Sequence, residues 1–113
     1  MDVNFVYNEA ASAEPIYIEQ VFAEKPAGGM VANPDADYPP STAVYYDSKD
    51  KLFHCIAKET TSPAGTPVYV LGTPVFAGKG DQPARLINGA NLRKETANLS
   101  SEVAAMLPNI TLV

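Results

Sequence analysis

The sequence predicts a mainly β chain with one short C-terminal helix, an α+β arrangement in which an extended N-terminal arm precedes a compact β-rich body. Three observations predict it. Short runs of β-branched and aromatic residues recur with a turn signal every ~8–12 residues. Ten prolines in 113 residues oppose a helical bundle. Helical periodicity is confined to one stretch near the C-terminus, residues 100–107.

The chain divides into an arm (1–24), a linker (25–42) and a body (43–113). In the arm, Val3, Phe5 and Tyr7 alternate with polar neighbours, and Ile16 and Ile18 bracket Tyr17. That spacing reads as strand or extended arm. Pro15 stands where a strand's first residues tolerate it. Phe5, Tyr7, Tyr17 and Phe22 all lie in this part. Two outcomes are open: a partner buries these aromatics, or the arm folds back as an edge strand of its own domain.

The linker is read from turn and polyproline chemistry, Lys25-Pro26-Ala27-Gly28-Gly29 and then residues 33–40, which hold Pro34, Pro39 and Pro40. The body opens with a hairpin. Ala43-Val44-Tyr45-Tyr46 and Leu52-Phe53-His54-Cys55-Ile56-Ala57 flank the turn formers Asp47, Ser48 and Asp50. Val68-Tyr69-Val70-Leu71 forms a further strand, which Gly72-Thr73-Pro74 breaks and Val75-Phe76-Ala77 resumes. Val68, Val70, Val75 and Phe76 are the apolar residues of these runs. Arg85-Leu86-Ile87 reads as a strand and Asn88-Gly89 as a tight turn. Ser100 to Leu107 carries N-cap candidates, an early acid and an apolar stripe of Val103, Met106 and Leu107, and Pro108 stops it. The closing run, Ile110 to Val113, is expected to pair in the sheet.

Charge narrows the function. The net charge of −5 opposes a basic nucleic-acid face. Residues 1–40 hold seven acids against one base, while residues 79–94 hold Lys79, Arg85, Arg93 and Lys94 against Asp81. The two regions can meet within one chain or between neighbouring chains. No apolar run approaches the ~20 residues of a membrane helix, and the start lacks a signal-peptide pattern. Synthesis in the cytoplasm is expected. The single cysteine, Cys55, permits no internal disulfide.

Catalytic constellations are missing from the sequence. His54 and Cys55 are adjacent, so on a strand they point to opposite faces and do not meet as base and nucleophile. One histidine and one cysteine do not make a zinc site. Asp35-Ala36-Asp37 lacks the glycine and spacing of a calcium loop, and Asp47 to Asp50 is explained by turn chemistry. A weak cation site is the alternative at either. Gly78-Lys79-Gly80 lacks the spacing of a phosphate loop, and Ser62, Ser100 and Ser101 sit in no nucleophile elbow. The expectation is no enzyme, no metal and no cofactor.

Over residues 43–113 the order of features resembles that of small phage capsid decoration proteins. The lambda-type head decoration protein is similar in layout, and the phage head-fibre proteins have a similar closing region. The stretches concerned are Tyr46 to Leu52, Gly65 to Leu71 followed by Val75-Phe76-Ala77-Gly78, Ile87 to Arg93, and a late helix followed by Ile110-Thr111-Leu112-Val113. The first forty residues do not match.

The resemblance implies a β-tulip-like body that forms a homotrimer, with Val68, Val70, Val75 and Phe76 buried within or between subunits, and that stabilises the outer surface of a phage or prophage shell. The partner is then the major capsid protein, without nucleic acid or membrane, and the location is the virion, after synthesis in the host bacterial cytoplasm. Residues suited to a capsid-binding arm are Val3, Phe5, Tyr7, Ile16, Tyr17 and Ile18. They would add a strand to shell subunits. The rival reading is a small bacterial carbohydrate- or protein-binding β-module with aromatics on a sheet face.

Overall fold

A computed structural model describes residues 16–113. It has eight strands and one short helix: β1 (Ile18–Glu24), β2 (Gly29–Val31), β3 (Ala43–Asp47), β4 (Leu52–Cys55), β5 (Pro67–Leu71), β6 (Gln82–Ala84), β7 (Leu86–Leu92), α1 (Ser101–Ala104) and β8 (Ile110–Leu112). The strands form one sheet in the order β1-β7-β5-β3-β4-β2-β6, curled into a half-barrel. The mainly β class with one short helix is therefore observed.

Strand β7 is the spine. One edge pairs antiparallel with β1, from Ile18 opposite Leu92 to Glu24 opposite Ile87. The other edge is shared: β5 pairs antiparallel at Leu86 and Ile87, and β8 pairs parallel from Ala90 to Leu92. The closing apolar run thus joins the sheet as its composition predicts. Asn88-Gly89, read as a tight turn, instead lies inside β7. The glycine serves close approach here, because it packs against Ala23 of β1.

The β3–β4 hairpin forms where the sequence places it, with Tyr46 opposite Phe53 and Tyr45 opposite His54. Its turn uses both acids. Asp47 Oδ1 accepts from Lys49 N–H and Asp50 Oδ1 from Leu52 N–H, each at 2.9 Å. Lys51 takes the left-handed φ of 62° that closes the turn.

The period of two in the strands creates two cores, one on each face of the sheet. Ala43, Val70 and Ile87 enter one with Leu92, Ala97, Leu99, Val103, Leu107 and Ile110. Their chain neighbours Val44, Leu71 and Leu86 enter the other with Val31, Tyr38, Phe53, Val75 and Ala84. Leu71, Leu86, Ile87 and Leu92 are fully buried, and each such side chain stabilises the fold by about 1.5–3 kcal/mol relative to exposure.

The division into arm, linker and body does not describe residues 16–113. Residues 25–42 are built into the sheet. Gly29–Val31 pairs with both β4 and β6. Val31, Tyr38, Ser41 and Thr42 are buried. Backbone donors between the prolines find acceptors in the body: Ala32 N–H reaches Phe53 C=O, Tyr38 N–H reaches Val75 C=O, and Ser41 N–H reaches Leu71 C=O, at 2.8–2.9 Å. Proline removes its own donor and leaves its neighbours free to pair.

Two further corrections concern length. Val75 makes one isolated bridge to Tyr38, and no strand resumes there. The N–H groups of Phe76 and Ala77 are taken by the side chains of Gln82 and Asp37. The helix spans only Ser101–Ala104, with Ser100 Oγ accepting from Val103 N–H at 3.1 Å. The next turn tightens, with Met106 N–H bonded to Val103 C=O and Leu107 N–H to Ala104 C=O. Leu107 is buried and Met106 exposed.

Candidate functional site

Two surface features are built well enough to do chemistry or recognition. The first is the edge of β1. This strand ends the sheet order, so its outer row of backbone groups has no strand beside it among the described residues. Six of its seven residues are exposed, including Val21 and Phe22, the latter 61% accessible.

Ion pairs pin both ends of β1 to the residues that flank β7. Glu24 pairs with Arg85 at 2.6 Å, and Glu19 pairs with Arg93. The Arg85 hydrogen bond holds the Glu24 carboxyl below its ordinary value. Tyr17 C=O accepts from Arg93 N–H at 2.9 Å, and Ile16 C=O from the Thr96 hydroxyl. The acidic front and basic back therefore meet within one chain.

The sequence-derived residues fall as follows. Val3, Phe5 and Tyr7 lie outside the described residues. Ile16 is exposed just ahead of β1, Tyr17 is half-buried, and Ile18 packs against the first core. From Ile18 onward, the arm residues are thus an edge strand of their own sheet, the second of the two outcomes open at the sequence level. Val70 and Val75 are core residues, fully buried, whereas Val68 and Phe76 are 39% and 46% exposed. The four do not form one cluster. Val68 and Phe76 share only the surface.

The second feature is a cleft. Parallel strands β2 and β4 meet at Val31 and Phe53. Beyond the bond from Ala32 N–H to Phe53 C=O, residues 32–38 and 54–64 line an open space of about 440 Å³. Its polar groups come from Asn33, Asp35, Tyr38, Tyr45, His54, Cys55 and Thr60. Tyr38 is buried and donates its hydroxyl to Asp35 Oδ1 at 2.7 Å. Desolvation, and then that hydrogen bond, raise the Tyr38 hydroxyl well above its ordinary range. Tyr45 and His54, opposite one another across β3 and β4, stack with ring centres 5.3 Å apart.

Cys55 lines the same cleft but packs toward the second core, while Tyr45, the stacking partner of His54, packs toward the first. Burial pushes the Cys55 thiol up to about 12, with the Asp35 charge adding to it. At neutral pH it is a protonated thiol and a poor nucleophile. His54 Nε2 instead meets Asp50 Oδ2 at 2.7 Å. Desolvation is the largest single influence on the Asp50 carboxyl and works to raise it, but the hydrogen bonds from Leu52 N–H and His54 together outweigh it and leave it lowered.

Asp47, Asp50 and His54 bring one donor atom each within 4.8 Å of one another. The hairpin turn and the imidazole already use these groups. Sequence spacing pointed to the turn. It did not point to the cleft, whose two sides are joined by parallel pairing of β2 with β4 and by packing of Tyr38 and Phe53 in the second core. The chain matches no protein-family model, no curated protein and no solved structure.

Proposed function

We propose that the chain is a non-enzymatic decoration protein of a phage or prophage capsid, a homotrimer that binds and stabilises the outer surface of the shell. The resemblance over residues 43–113 supports this reading, together with the mainly β half-barrel and its late helix leading into a paired terminal strand. The observation that carries the mode of binding is the edge of β1, seven residues long, largely exposed and without a strand beside it among the described residues.

An open edge accepts a further strand through main-chain hydrogen bonds, and alternate side chains set its register. Phe22 and Val21 supply apolar contacts along that edge. The partner is a strand of the major capsid protein. Three copies on one trimer raise avidity without new contacts. Binding only to the assembled shell stabilises it by mass action. The protein is made in the host bacterial cytoplasm and resides on the virion surface.

The test combines solution mass with shell binding. Sedimentation is expected to give three times the 12.0 kDa chain mass, in solution or on shells. Phe22→Lys is expected to keep the fold, because Phe22 is mostly exposed. It should also abolish decoration, because a charge on an edge strand opposes pairing. Normal decoration by the folded F22K variant would refute edge pairing. A chain that never binds expanded shells would refute the capsid reading itself.

A further inference from the structure

We infer that the cleft between residues 32–38 and 54–64 binds a neutral, hydroxyl-rich ring, the chemistry of a saccharide. Its volume of about 440 Å³ lies within the range of small-molecule sites. No lysine or arginine lines it. A phosphate, nucleotide or carboxylate would therefore enter without a counter-charge, and would face Asp35.

The polar groups are of mixed kind. Asp35 presents a carboxylate oxygen beyond the one that Tyr38 occupies. Among the described residues, the side-chain polar atoms of Asn33, Tyr45 and Thr60 make no hydrogen bond within the protein. An amide and two hydroxyls both donate and accept, as sugar hydroxyls do. A cation site would present acceptors alone. The remaining wall is apolar, with Pro63 and the stacked Tyr45–His54 pair to meet the C–H face of a ring.

The site is preorganised. The Tyr38 hydrogen bond fixes Asp35 from a buried side chain, and the hairpin fixes the ring pair. It also lies at the β4–β2 end of the strand order, away from the β1 edge. Saccharide binding and shell binding are thus separable. The described lining of the cleft falls within residues 32–64, and the inference does not rest on the capsid reading.

The test is a ¹⁵N NMR titration of the full chain with methyl α-glucoside and with N-acetylglucosamine, and methylammonium as the cationic control. At least one saccharide is expected to give saturable shifts at the amides of Asn33, Asp35, His54 and Thr60, with a Kd of the order of 1 mM. Asp35→Asn keeps an acceptor for the Tyr38 hydroxyl and should weaken binding about tenfold. Thr60→Val should weaken it less. F22K should bind the saccharide as the wild type does. No saturable shift with either saccharide, an unchanged Kd in folded D35N, or saturation by methylammonium instead would each overturn the inference.

Discussion

Gly89 of β7 lies opposite Ala23 of β1 in close approach: a Cβ on Gly89 would stand 3.2 Å from the Ala23 Cβ and 3.4 Å from its amide nitrogen, so β1 would have to give by a few tenths of an ångström. The edge strand is held closely at this point. Gly89→Ala is expected to lower stability by about 1 kcal/mol and Gly89→Val by more, through overpacking. In the G89A background, Ala23→Gly should recover part of the loss, although alone it should destabilise. Urea midpoints of the four variants check this, and additive losses would show that the two residues do not meet.

Truncation separates the two parts of the N-terminal segment. Among the described residues, β1 to β8 and the two cores fall within residues 18–112. Removal of residues 1–15 is expected to leave the urea midpoint within experimental error. Removal of residues 1–24 also takes β1, the contact of Ile18 with the first core, and the ion pairs of Glu19 and Glu24. That variant should unfold at clearly lower urea or aggregate through the uncovered edge of β7.

The pattern of legibility follows from what each signal encodes. The β3–β4 hairpin was readable because its turn residues and its alternation act within a dozen positions. Strand β8 was readable because a β-branched, apolar run directly after a helix stop gains by pairing in a sheet away from water. The Asn88-Gly89 pair misled because the same dipeptide serves a turn or a close approach, and only the partner strand decides between them. Residues 25–42 misled for a related reason. Prolines mark broken periodicity, yet Val31 and Tyr38 are core residues held by distant acceptors on Phe53 and Val75. The Asp35–Tyr38 side of the cleft is local, three residues apart, but its opposite wall comes from β4 and the loop after it, which no short-range pattern connects to it.

Val68 and Val70 stand two apart on β5, one exposed and the other fully buried. Val70→Asp places an unpaired charge in the first core. It should cost at least about 3 kcal/mol and leave little folded protein. Val68→Asp should change stability by no more than about 0.5 kcal/mol. Circular dichroism and urea unfolding of both variants test the assignment. If V68D unfolded the chain as V70D does, Val68 would be buried in the species present in solution, most simply between subunits of a trimer.

Alkaline pH should unfold this chain through the second core. Cys55 has its pKa raised from 9.0 to about 12 in the folded state, because burial disfavours the thiolate. Below pH ~9 the thiol is protonated in both states, and its contribution to stability is fully present. As the pH rises from ~9 toward ~12, the unfolded chain loses the proton first, so stability falls by up to a few kcal/mol. Tyr38, raised for the same reason and by its bond to Asp35, acts in the same direction from a higher starting pH. Cys55→Ala removes the thiol from this balance. Urea midpoints between pH 8 and 10.5 should fall more steeply for the wild type than for C55A. Parallel curves would mean that Cys55 is reached by solvent and ionises at its ordinary value.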